Sequence, residues 1–156
     1  MAELHHIRRR QVLPIPVQEA WAFFSSPANL ARITPKSMGF VMRPPLPHGP
    51  LKAGQRITYA IRPVLRIPLK WITLIEEVDE PRSFVDLQWK GPYALWRHRH
   101  SFTSVPEGTL VEDHVEYALP WGPLGQMAHR AFVCRQLQGI FDHRQTVLER
   151  MFPHRP

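Results

Sequence analysis

The chain closes on one long amphipathic segment, Pro123 to Phe152, and most of what precedes it alternates with period two. Met127, Ala131, Cys134, Leu137, Phe141, Leu148 and Phe152 mark an apolar arc, widened by Val133, Ile140, Val147 and Met151. An arc this wide predicts a helix buried over more than half its circumference. Such a helix needs a broad apolar bed, and the upstream segments supply one. His5 to Val12, Gly39 to Arg43, Gln55 to Arg62, Leu69 to Val78, Ser83 to Trp89, Trp96 to Phe102 and Thr109 to Leu119 read as strands between proline- and glycine-marked turns. Pro16 opens a short helix with Val17, Ala20, Trp21 and Phe24 at helical spacing, and a second short one follows Pro27. The expected class is α+β. A curved antiparallel sheet holds the long helix on its concave face, and its arch leaves a cavity between them.

With 156 residues, 44% of them hydrophobic, the chain can bury one core and not two, so residues 1–156 are read as a single domain. Met1 to Arg10 lacks the apolar stretch of a signal peptide, and no run approaches ~18 apolar residues. Cys134 is the only cysteine, which excludes a disulfide within the chain and makes the cytoplasm the expected location. The formal net charge of +7 is spread over the sequence and not gathered into a basic tract interleaved with aromatics. Nucleic acid is therefore not an expected partner, although charge-driven binding to RNA or a membrane surface stays open as an alternative function.

The candidate chemistry starts with Trp96-Arg97-His98-Arg99-His100-Ser101-Phe102. Alternation places Trp96, His98, His100 and Phe102 on one face and leaves Arg97, Arg99 and Ser101 in solvent. Two imidazoles between large aromatics on an inward face are unusual. A buried polar group without a partner costs roughly 1–3 kcal/mol, so a polar network, a metal or a ligand must answer them. A plain reading is that each histidine is hydrogen-bonded inside an ordinary core. Between Ser83 and Trp89 the greasier set, Val85, Leu87 and Trp89, is expected inside; the opposite phase would bring Asp86 beside the histidines. In the last strand Glu112, His114 and Glu116 form a wholly polar face, which turns Asp113 and Tyr117 inward. Arg144 lies within the apolar arc of the helix, among Ile140, Phe141, Val147 and Leu148. Its charge requires Asp113 or Asp86, a ligand anion, or snorkelling to the rim. A third metal ligand is not secured by a His-X-His spacing, so no metal and no cofactor are expected.

Several stretches together resemble the START-like or helix-grip superfamily, which includes polyketide cyclases and dehydrases, lipid-transfer domains, coenzyme Q-binding proteins and the major birch pollen allergen. They are Leu13-Pro14-Ile15-Pro16 leading into Trp21-Ala22-Phe23-Phe24, and Asn29-Leu30 with Ile33-Thr34-Pro35. Gly91-Pro92-Tyr93 before the histidine strand, Gly108-Thr109 with Asp113 and Tyr117, and Phe141 with Arg144 complete the set. The resemblance covers nearly the whole chain and looks closest to small stand-alone bacterial ligand-binding members. It implies a small hydrophobic or amphipathic, lipid-like ligand between sheet and terminal helix. On that fold Trp71, Thr73, Trp96, His98, His100, Phe102, Tyr117, Phe141 and Arg144 are the candidate ligand-binding residues, and the stiff Pro44 to Pro50 loop is placed at the mouth. A cyclase- or dehydratase-type enzyme is the alternative, with His98 or His100 transferring protons and Asp86 or Asp113 orienting it.

Overall fold

The computed structural model describes residues 2–156. Seven strands form one antiparallel sheet: β1 (His5–Leu13), β2 (Val41–Met42), β3 (Arg56–Ile61), β4 (Leu69–Asp79), β5 (Ser83–Lys90), β6 (Leu95–Val105) and β7 (Gly108–Ala118). Their order is β1-β7-β6-β5-β4-β3-β2, so the first strand reaches across to pair with the last. Helix α1 (Val17–Phe24) and a 3-10 segment (Pro27–Ile33) follow β1. The chain then ends in α2 (Gly122–Ala128), a π-helical turn (His129–Val133) and α3 (Cys134–Met151). This is the α+β arrangement expected, with the curved sheet gripping the terminal helix.

Two apolar clusters anchor the helices to the sheet. At one end, α1 brings Trp21 edge-on to Phe84 at 5.7 Å and to Phe102 at 5.9 Å, with Leu148 of α3 in the same cluster. At the other, Leu137 and Phe141 of α3 pack with Ile7, Val115 and Tyr117 of β1 and β7. Gly108 lets the β6–β7 turn close against the first strand; a Cβ there would fall 2.1 Å from the Leu13 carbonyl oxygen. The neighbouring Thr109 hydroxyl donates to the Ile15 carbonyl at 2.8 Å and holds that corner.

The phase of β5 is the reverse of the one hydrophobicity suggests. Phe84 and Asp86 face the helix, and Val85, Leu87 and Trp89 face outward. The reason lies in the strands beside it. A bulge between Ile75 and Glu77 lets β4 slip by a residue, and Arg97 pairs with Glu76 at 2.8 Å and Glu77 at 3.4 Å. Val85 sits between Glu77 and Arg99 in the register, and those two side chains form an ion pair at 3.1 Å across it. An ion-pair roof thus buries Val85 on the outer face. Trp89 stays 55% exposed, with the Arg56 guanidinium 4.5 Å over its ring.

The terminal helix also departs from expectation. Its buried stripe is Val133, Leu137, Phe141, Arg144 and Leu148, narrower than the arc in the sequence. The π turn inserts an extra residue into the helical repeat, so the stripe does not continue in phase through α2. Met127 is 67% exposed and Ala131 is exposed, while Gly125 and Ala128 turn toward the sheet instead. Leu137→Ala should lower stability by about 2–5 kcal/mol in urea unfolding, as deletion of a buried leucine does. An unchanged midpoint would mean that α3 is not held by the sheet.

Candidate functional site

A cavity of about 360 Å3 lies between the inner face of β3 to β6 and the terminal helix. Its apolar end is aromatic: Trp71 meets Trp96 edge-on at 5.4 Å and Tyr93 at 5.7 Å. Gln88 pins Tyr93 by receiving its backbone N–H at 3.0 Å and donating to its carbonyl at 2.8 Å. The Thr73 hydroxyl accepts from Trp71 Nε1 at 3.1 Å and shares a hydrogen with the Tyr59 hydroxyl at 2.9 Å. Tyr59 was missed in the sequence, yet it belongs to the same period-two set as Ile57 and Ile61, which was the available signal.

The other end is charged. His98 stands opposite Asp86 in the register and His100 opposite Asp113, but the hydrogen bonds run on the diagonals. His98 Nε2 donates to Asp113 Oδ1 at 2.7 Å, and His100 Nε2 donates to Asp86 Oδ2 at 2.7 Å. His100 Nδ1 lies 3.4 Å from the same Asp113 oxygen, and Arg144 Nη1 approaches it to 3.6 Å from α3. The two imidazoles stack at 3.7 Å, and Phe84 covers His100 at 4.1 Å. Arg144 is 8% exposed, lies 4.8 Å over the Phe141 ring, and leaves its Nε buried without a protein partner.

The surroundings drive the histidines apart. Burial, joined by the charge of His100, pulls His98 below the ordinary imidazole value, and Asp113 only partly offsets this. Burial also acts downward on His100, but its bonds to Asp113 and Asp86 and their charges outweigh it and raise its pKa. Burial pushes both carboxylates upward and is overcome, for Asp86 by His100 and for Asp113 by both histidines and Arg144. Asp113 ends well below the usual carboxylate range. In the state these shifts favour, protonated His100 and Arg144 balance Asp86 and Asp113, with His98 neutral. Asp86, His98 and His100 also offer ligand atoms within 4.8 Å of one another, a metal-like spacing. Here, however, His100 and Arg144 already supply the cations that the two carboxylates call for.

No protein-family model matches the sequence, and no curated protein matches it. Among solved structures, TTHA0849 from Thermus thermophilus is similar over 94% of this chain and 95% of its own, with 17% identity and a TM-score of 0.72. Ara h 8.0201 matches over 94% of this chain and 98% of its own at 16% identity and a TM-score of 0.60. BexL, a di-domain ARO/CYC from the BE-7585A biosynthetic pathway, matches 98% of this chain and 51% of its own at 17% identity and a TM-score of 0.70. This chain has the START-like, helix-grip fold. At such identities the likeness concerns the fold alone.

Of the candidate residues, the helix-grip cavity brings Trp71, Thr73, Trp96, His98, His100, Phe141 and Arg144 onto one wall system, with Asp86 beside them. Phe102 and Tyr117 are not on it. Phe102 is 3% exposed inside the cluster that α1 covers, so its side chain has no surface left for the cavity. Tyr117 is buried under the terminal helix, and its hydroxyl is hydrogen-bonded with His129 Nε2 at 2.8 Å. Asp113 stands behind the histidines and reaches the cavity only through them and Arg144. Of the proline-rich loop, the flanks Met42 and Leu51 line the cavity and residues 43–50 do not.

Two outcomes follow from this geometry. Histidine NMR titration should find His100 losing its proton above about pH 6.5 and His98 below it, and Asp86→Asn should lower the His100 value. By linkage, the stability from the His100 contacts is full below about pH 6.5 and fades as pH rises through its higher folded value. The depressed His98 works oppositely, losing stability as pH falls below about 6.5, and the Asp113 contribution is lost only below about pH 3.9. Separately, Arg144→Met should destabilise by about 1–3 kcal/mol by removing one of the cations around Asp113, which keeps His98 and His100, and adding Asp113→Asn should recover part of that loss.

Proposed function

We propose that residues 1–156 act as one ligand-binding domain that holds a small, largely apolar molecule with an acidic end. The observation that carries this reading is Arg144, a buried cation on the cavity wall whose Nε has no acceptor in the protein. A buried guanidinium donor is costly to leave unpaired, and a ligand carboxylate satisfies it with a charge-assisted bond. Trp71, Trp96, Phe141, Tyr59 and Tyr93 supply the apolar walls, and a volume of about 360 Å3 suits a small hydrophobic body. His98 and His100 orient the polar end, while Phe102, Tyr117 and Asp113 support the wall from behind. Native mass spectrometry of protein purified from its own source is the route to the ligand. A fatty or aromatic carboxylic acid should displace an apolar fluorescent probe at about tenfold lower concentration than its amide, and Arg144→Met should abolish that preference. Equal affinity for acid and amide would overturn the reading.

A second reading, a cyclase- or dehydratase-type enzyme, is favoured by one feature. His98 and His100 are adjacent imidazoles whose surroundings shift them in opposite directions, which suits one as base and the other as acid. In that case His98→Gln and His100→Gln would abolish turnover while leaving ligand affinity within a few-fold. Loss of affinity in step with turnover would return both residues to a binding role.

A further inference from the structure

Two large apolar side chains stand far out of the surface at the cavity mouth: Leu65 is 86% exposed and Trp121 81%. Both are held there by unusual backbone. Among the described residues, the non-glycine positions with positive φ are Leu65 at 50°, Arg66 at 57° and Trp121 at 67°. L-residues enter that region against steric resistance, and such positions gather where function requires them. The β3–β4 loop that carries Leu65 and the α2 start that carries Trp121 both border the cavity, through Pro63 and Val64 on one side and Trp121 itself on the other. Gln136 of α3 holds the β3–β4 loop by donating to the Pro63 carbonyl at 2.7 Å. Val64 and Phe132 belong to both the exposed rim and the cavity wall. Ile67, Leu124 and Met127 extend the apolar rim, each more than half exposed.

The charge around this rim has one sign. The chain carries no carboxylate between Glu19 and Glu76 and none between Glu116 and Asp142. Arg62, Arg66, Lys70, Arg130 and Arg135 are exposed in these stretches, and among the described residues none of them is in an ion pair. Elsewhere in the chain, by contrast, Arg9, Arg10, Arg82, Arg97 and Arg99 all meet carboxylates. The five cations beside the projecting apolar side chains thus keep their charge unneutralised.

We propose that the mouth of the cavity docks on an anionic phospholipid bilayer, with Leu65 and Trp121 inserted below the headgroups and the surrounding arginines against lipid phosphates. Apolar tips within a cationic ring match an interface that is oily inside and negative at its surface. A second copy of this chain is a poor occupant, because a two-fold contact would set the same cations against one another. Nucleic acid is also a poor match, since the projecting side chains are mostly aliphatic and give no stacking platform. Docking here sets the cavity opening against the membrane, so an apolar molecule passes between them without crossing water.

The test is cosedimentation with phosphatidylcholine vesicles containing about one-third phosphatidylglycerol, beside pure phosphatidylcholine. It needs no ligand, so its result is independent of the reading of the cavity. The protein should bind the anionic vesicles, bind the neutral ones far more weakly, and be released by salt. Leu65→Ser with Trp121→Ser should weaken binding about tenfold or more, and so should Arg66→Glu with Arg130→Glu. All four positions are exposed, so both variants should keep the wild-type melting temperature; a paired control at Arg82 and Arg10, remote from the mouth, should bind as wild type. Absence of binding to anionic vesicles, or binding untouched by either variant, would overturn the proposal. So would variants whose only effect is on self-association or on binding to RNA.

Discussion

Asp113 Oδ1 is where sheet and helix are joined electrically. It receives His98 at 2.7 Å, lies 3.4 Å from His100, and meets Arg144 at 3.6 Å. A carboxylate so deeply placed would lose several kcal/mol of hydration without these partners. Arg144 reaches the sheet from α3 with a long side chain laid over Phe141. Tight apolar contact is confined to the clusters at either end, and the middle stays open. A charge pair thus spans helix and sheet beside the cavity.

Much of this was legible in the sequence because period-two alternation is insensitive to tertiary detail. It placed His98 and His100 inward, and the wholly polar face of Glu112, His114 and Glu116 turned Asp113 toward them. Arg144 was visible as a cation within an apolar arc. These inferences depend only on which residues share a face.

What failed depended on partners outside the segment. Val85 is hidden by an ion pair between side chains of the two adjacent strands, so its hydrophobicity pointed to the wrong face and made the phase that brings Asp86 inward the less expected of the two. Met127 and Ala131 left the buried stripe because a π turn, with no clear mark in the residue types, shifted the helical phase. Phe102 and Tyr117 do point inward, but α1 and the terminal helix cover their ends of the sheet. Facing the interior and facing the cavity are separate properties, and alternation reports only the first.

The division of labour between the two apolar clusters and the cavity wall bears on how this protein can change. Ile57, Tyr59, Ile61, Trp71 and Thr73 line the cavity yet belong to neither cluster. Ile57, Ile61, Trp71 and Thr73 are nonetheless buried, so this wall contributes to the core as well as shaping the cavity. Volume-conserving exchanges there can reshape the accommodated molecule while the two clusters that fix the helices to the sheet stay as they are. A lineage, or a designer, can thus alter specificity in small heritable steps, provided each step keeps the wall filled.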